Sequence, residues 1–230
     1  MGEGNGVRAV DMITVQDIKK SEEVRNFLSI AERQMQVLGY TEHSFRHVSL
    51  VSENAGTILE QLGHSDREVE LTKIAGYLHD IGNAVNRTDH AHSGAIMAYG
   101  LLTKMGMEFY EASEVMHAIG NHDEKTGTAV SIISAALILA DKSDVHRSRV
   151  RNTDFATFDI HDRVNYAVEK SVISVNNEEK TAELMLEIDT VICPVMDYFE
   201  IFLARMTMCR KAAEFLGLHF QLLINGNRLL

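Results

Sequence analysis

Residues 76–82 read Gly76-Tyr77-Leu78-His79-Asp80-Ile81-Gly82, an apolar helical pattern that stops on two polar side chains. Upstream, Leu71, Ile74, Ala75 and Leu78 recur at three- and four-residue spacing, the mark of a helix with one buried face, and Ser65 is placed to cap its start. An unpaired carboxylate where a buried helix ends is costly, so Asp80 wants a cation. The pattern extends outward on both sides. Val48, Val51, Ala55, Ile58 and Leu62 form a second helical stripe closed by Gly63, with His47 one turn before Val51. Downstream, a very apolar run with Thr128 as its expected cap continues through Ala140 and ends on Asp141-Lys142. His47, His79, Asp80 and Asp141 thus all emerge where a hydrophobic helix starts or stops. Two imidazoles and two carboxylates suit a divalent Mn, Fe, Zn or Mg ion with positions left open for water and phosphate.

The bulk composition agrees with a helical protein that has one full core. The chain has 230 residues, 45% of them hydrophobic and 24% charged. A single proline and eleven methionines favour long, uninterrupted helices with adaptable packing. The net charge of −11 argues against general nucleic-acid binding, which rests on neutralising many phosphates. A small phosphorylated substrate, by contrast, needs only a local pocket of positive charge, and a metal supplies one. Cys193 and Cys209 are isolated and form no disulfide framework, so free thiols in a reducing compartment are expected. The polar start, Met1 to Gly6, reads as neither a signal peptide nor a myristoylation site, and the first ten residues look flexible. The longest apolar stretch, Ala129 to Ala140, is too short to span a bilayer. The expectation is a cytoplasmic protein without membrane contact.

Ser21 opens a further helical pattern that runs to Leu38, where Gly39 stops it. Others cover about 89–104 and 108–119. The character changes after residue 155. Val164 to Val175 and Lys180 to Ile188 alternate around Asn176-Asn177, which predicts a hairpin. Pro194 opens an apolar helix through Phe215, and His219 to Ile224 returns as a strand. The expected architecture is mainly α, with a helical metal-binding domain over residues 1–154 and a small α/β (ββαβ) unit over 155–230 packed on it. The second unit offers no cluster of ligands. Its strand edge and apolar helix suit assembly, with a homodimer as the natural outcome.

The order of these motifs adds a family likeness. Gly63 of Leu62-Gly63 lies sixteen residues after His47, and His79 of His-Asp-Ile-Gly lies sixteen after Gly63. Ala-Asp-Lys at residues 140–142 then closes an apolar helix. Over about residues 43–150 the chain resembles the HD superfamily of metal-dependent phosphohydrolases. That resemblance implies a helical bundle around a metal held by His47, His79, Asp80 and Asp141. His43, one turn earlier, competes for the first position, but the spacing to Gly63 favours His47. His90, in His90-Ala91-His92-Ser93-Gly94-Ala95, and His122, in Asn121-His122-Asp123-Glu124, are similar to the extra ligands of dinuclear members, implying one or two ions per chain. Asp123 stands where those members carry a second histidine. His92 could replace His90 but falls off the face shared with Gly94, and His117 sits at the wrong helical angle.

Lys142 is the expected phosphate contact, with Arg87 behind it and Arg147, Arg149 and Arg151 nearby. The implied activity is hydrolysis of a small phosphate ester, such as a nucleotide, by a metal-activated water, with Asp80 orienting that water and Lys142 stabilising charge on the phosphoryl oxygens. A di-iron oxygenase and a noncatalytic nucleotide-binding module are the alternatives. The Gly-Tyr-Pro motif of cyclic-dinucleotide phosphodiesterases is missing, and Asn83 stands where that group carries lysine. The Glu-Asp pair of alarmone hydrolases finds no convincing position either.

Overall fold

The computed structural model describes residues 12–42 and 45–229. His43 and the first ten residues lie outside the described residues. The helices are α1 (Val15–Lys20), α2 (Glu22–Val37), α3 (Phe45–Gln61), α4 (Asp66–Leu78), α5 (His90–Met105), α6 (Phe109–Gly120), α7 (Ile132–Ser143), α8 (Ile160–Ala167) and α9 (Val195–Phe215). The strands are β1 (Val168–Asn176), β2 (Thr181–Ile188), β3 (His219–Ile224) and β4 (Asn227–Arg228). A 3-10 turn, Ile81–Ala84, follows α4 directly.

The helix starts follow local chemistry. Thr14 and Asp17 form a reciprocal capping box on α1, and Ser65 and Glu68 form another on α4. The apolar run ending at Asp141 begins later than expected. Ser131, not Thr128, accepts the amide of Ser134 and caps α7. Every residue of α7 from Ile133 to Ser143 is buried, which makes it the central helix of the bundle.

Two close backbone approaches set the relative positions of the elements that carry His47, His79 and His90. Gly76 of α4 lies against α3, where a Cβ would stand 2.7 Å from the Ser52 Cα. Gly82 in the 3-10 turn lies against the first turn of α5, where a Cβ would stand 2.0 Å from the His90 carbonyl oxygen and 2.5 Å from the Gly94 nitrogen. Neither position has room for any side chain.

The C-terminal segment departs from the expected hairpin at its start. Asp159 caps a helix by accepting the Asp162 amide, and α8 then buries Val164, Asn165 and Ala167, so extended structure begins only at Val168. β1 and β2 pair antiparallel with Asn176 opposite Thr181. β3 returns parallel to β2, with Thr181 opposite His219 and Leu186 opposite Ile224, after the crossover through α9. The sheet order is β1-β2-β3-β4. α9 packs on α7, and Leu184 and Leu222 belong to the same buried cluster as Leu78 and Leu137. Among the described residues, no helix is long and apolar enough to cross a membrane.

Candidate metal centre

Four histidines converge in two facing pairs. His47 lies on α3, His79 follows the last residue of α4, His90 opens α5, and His122 lies just beyond α6. All four are buried, as is Asp80, and Asp141 is 8% exposed. The Nε2 atoms of His47 and His79 are 3.3 Å apart, and those of His90 and His122 are 3.2 Å apart.

The opposite ring nitrogens explain how these contacts stand. His79 Nδ1 lies 2.8 Å from the Gly76 carbonyl, His90 Nδ1 3.1 Å from the Arg87 carbonyl, and His122 Nδ1 2.6 Å from the Ile119 carbonyl. His47 Nδ1 lies 2.7 Å from the Asp144 carboxylate. Each Nδ1 faces an acceptor and so carries the proton, which leaves each Nε2 as a lone pair. Lone pairs facing one another at about 3.3 Å repel unless a cation sits among them.

The carboxylates complete the arrangement. Asp80 Oδ2 is 3.6 Å from both His47 Nε2 and His79 Nε2, while its Oδ1 is 3.5 Å from His90 Nε2. Asp141 Oδ1 is 3.5 Å from His47 Nε2 and 3.7 Å from His79 Nε2. Ligand atoms of His47, His79 and Asp141, and again of His79, Asp80 and His122, all lie within 4.8 Å of one another. A converging set of imidazole lone pairs and carboxylate oxygens, with their other nitrogens already bonded, fits a divalent cation.

Burial pushes the His47, His90 and His122 imidazoles below the usual histidine range, His122 most strongly, so they are neutral donors at neutral pH. Burial acts the other way on Asp141, yet the neighbouring Lys142 ammonium outweighs it and holds the carboxyl well down. Asp144 is likewise opposed by burial and held down by Arg149 and His47.

The other expected site residues fall as follows. His92 is exposed beside Asp89, and His117 is exposed on α6. Lys142 is 3% exposed, and its Nζ lies 2.7 Å from Asp141 Oδ2 and 2.8 Å from Glu124 Oε2. Arg87 NH1 lies 3.3 Å from His90 Nε2 and 3.8 Å from Asp80 Oδ1, at the edge of the centre. Arg147 pairs with Glu169 and Arg151 with Glu32, away from the histidines.

The residues that support the histidines and carboxylates were not anticipated. Asp144 orients His47, and Asn83 donates to Asp80 Oδ1 at 2.8 Å. Glu124 divides its carboxylate between Lys142 and Arg205 of α9. The spacing of Asp144 three residues after Asp141 was the one available signal.

The helical bundle thus closes on a buried cluster of histidines and carboxylates able to hold a metal ion. The profile of the HD domain matches residues 44–199, and the chain belongs to that family. It is 25% identical over 198 residues to the uncharacterised protein MJ1020 of Methanocaldococcus jannaschii, covering 76% of each chain. It is 35% identical over 100 residues to ribonuclease Y of Lawsonia intracellularis, which is 42% of this chain and 18% of that protein. The ribonuclease Y of Enterococcus faecalis is 30% identical over 119 residues, 52% of this chain and 21% of that one. The match therefore spans about a fifth of each ribonuclease Y. Among solved structures, a predicted HD superfamily hydrolase from an uncultured Thermotogales bacterium is similar at a TM-score of 0.42 and 29% identity, covering 57% of this chain and 74% of that one.

Proposed function

We propose that this chain is a metal-dependent phosphohydrolase that cleaves a small phosphate ester, with a nucleotide as the leading substrate class. The observation that carries the reading is the Asp80 carboxylate, whose Oδ2 faces the His47–His79 pair while its Oδ1 faces His90. His47, His79, Asp80 and Asp141 would hold one ion, and Asp80, His90 and His122 a second. A divalent ion held by these residues, Mn, Fe, Zn or Mg, would supply Lewis-acid polarisation of a phosphate oxygen and a water of lowered pKa.

The chain's own groups do the rest. Asp144 and three backbone carbonyls fix the imidazole tautomers so that each Nε2 offers its lone pair inward. Asn83 holds Asp80 Oδ1. Lys142, between Asp141 and Glu124, keeps Asp141 ionised and oriented, so it acts on the phosphate through that carboxylate. Arg87 stands beside Asp80 and His90 and also lines an adjoining cavity, which suits it to receive the phosphoryl oxygens. The likeness to ribonuclease Y, named for action on RNA, supports phosphate-ester chemistry in this fold. Hydrolysis of a panel of phosphomonoesters and nucleotides, with each of the four metals in turn, tests the reading. Turnover of at least one ester that disappears in Asp80→Ala is the expected result, and no turnover with any metal would overturn it.

A further inference from the structure

Beside the metal centre lies a cavity of about 290 Å³, small for a ligand site, walled by residues that include Tyr40, Arg87, Arg149, Asn165, Phe202 and Arg205. Part of that wall comes from α8 and α9, the segment whose sequence offered no chemistry of its own. Its three arginines are not equivalent. Arg149 is committed to the fold: NH1 donates to the Asp144 carbonyl at 2.5 Å, and Nε and NH2 donate to the Glu42 carbonyl at 3.2 and 2.9 Å. Arg87 leans on the metal centre through Asp80 and His90. Arg205 differs from both. Its Nε donates to Glu124 Oε1 at 2.8 Å and its guanidinium lies over the Phe202 ring at 4.7 Å. Its two terminal nitrogens have no hydrogen-bond partner among the described residues.

An arginine tied at Nε, backed by an aromatic face and open at both terminal nitrogens is a prepared fork for an oxyanion. Glu124 and Asp141 together face the charges of Lys142 and Arg205, so what Arg205 offers an oxyanion is its pair of open terminal N–H groups. Asp159 and Asp162 also line the cavity and already accept hydrogen bonds, from the Asp162 amide and from Asn152. Their charge limits the cavity to one compact anion near Arg205.

We propose that this cavity is a subsite for a second anionic group of the substrate, gripped by Arg205, so that the substrate is a phosphate ester carrying a further phosphate or carboxylate. The assignment rests on reading the adjoining centre as a phosphohydrolase. The first phosphoryl group lies at the metal centre with Arg87, and Arg205 selects for the second anion.

Calorimetric titration of the metal-loaded protein tests this. The probes are alkane bisphosphonates with one to four methylenes, the matching alkyl monophosphonates and the matching phosphonocarboxylates. At one spacing a two-anion probe should bind about 10–100-fold tighter than its monophosphonate, the scale of one charge-assisted hydrogen-bonded pair. Whether bisphosphonate or phosphonocarboxylate binds tighter identifies the second anion. Arg205→Gln should cut the preference to about threefold or less at matched metal occupancy, and Arg205→Lys should keep an intermediate preference. The subsite is refuted if wild type prefers no two-anion probe at any spacing, a result that needs no variant, or if Arg205→Gln keeps the preference. Protein that shows the preference yet hydrolyses no ester would overturn the hydrolase reading and leave the subsite standing.

Discussion

His90 and His122 meet Nε2 to Nε2 at 3.2 Å, each with its Nδ1 turned to a backbone carbonyl. Two neutral imidazoles so oriented present lone pairs to each other, an arrangement that a cation stabilises. Replacing both by alanine should therefore lower metal stoichiometry from two ions per chain to one, since His47, His79 and Asp141 remain. It should also lower kcat more than it raises KM. Elemental analysis of dialysed protein decides, and wild type that saturates at one ion per chain would reduce the centre to a mononuclear one.

Losing a central ligand has a larger effect. Asp80 would serve both ions, and His79 would hold the first while its ring packs against that of His122, so His79→Ala or Asp80→Ala should empty the centre while circular dichroism stays helical. Metal held only by the folded state stabilises it, by about 2.7 kcal/mol at a hundredfold excess over Kd. A chelator should thus lower the wild-type Tm by several degrees and leave both variants unmoved. Full metal content in either variant contradicts the assignment.

These residues were legible in the sequence because each interrupts an apolar helix at its end, where a polar group without a partner is costly. Asp144, Glu124 and Arg205 were not, since their partnerships span 97 residues to His47 and 81 between Glu124 and Arg205, and no local period marks such pairs. Val164 read as strand because a β-branched residue fits a pleated surface, but the Asp159 cap and the burial of Val164 and Ala167 on one face make residues 160–167 helical, and the strand begins at Val168. Thr128 lost the cap of α7 to Ser131 because Ser134 stands three residues later and completes a reciprocal pair.

Glycines should separate by what a methyl group would meet. At Gly82 it would press on the His90 carbonyl and the Gly94 nitrogen, both backbone, so Gly82→Ala should destabilise by about 1–3 kcal/mol or more and displace His90. Gly100 of α5 has open space around it, and Gly100→Ala should stabilise by up to about 1 kcal/mol. Denaturant titrations with metal analysis distinguish them, and equal effects at the two positions would mean that the contact at Gly82 does not constrain the centre.

Arg67 of α4 and Glu111 of α6 form a two-pronged ion pair remote from the metal centre, with Arg67 Nε 2.6 Å from Glu111 Oε1 and NH2 bonded to Oε2. The Arg67 hydrogen bonds hold the Glu111 carboxyl below its ordinary value of 4.5 against the opposing effect of burial. A carboxyl depressed in the folded state contributes stability that is present above the unfolded pKa and lost as pH falls through the folded one. Glutamine resembles the protonated acid, so Glu111→Gln should be less stable than wild type by about 1–2 kcal/mol at pH 7. The gap should close progressively below about pH 4.5. Urea unfolding of both proteins at pH 7, 5, 4 and 3 reads this directly. A gap that stays constant or widens on acidification would show that Glu111 stabilises the α4–α6 contact by packing and not by its charge.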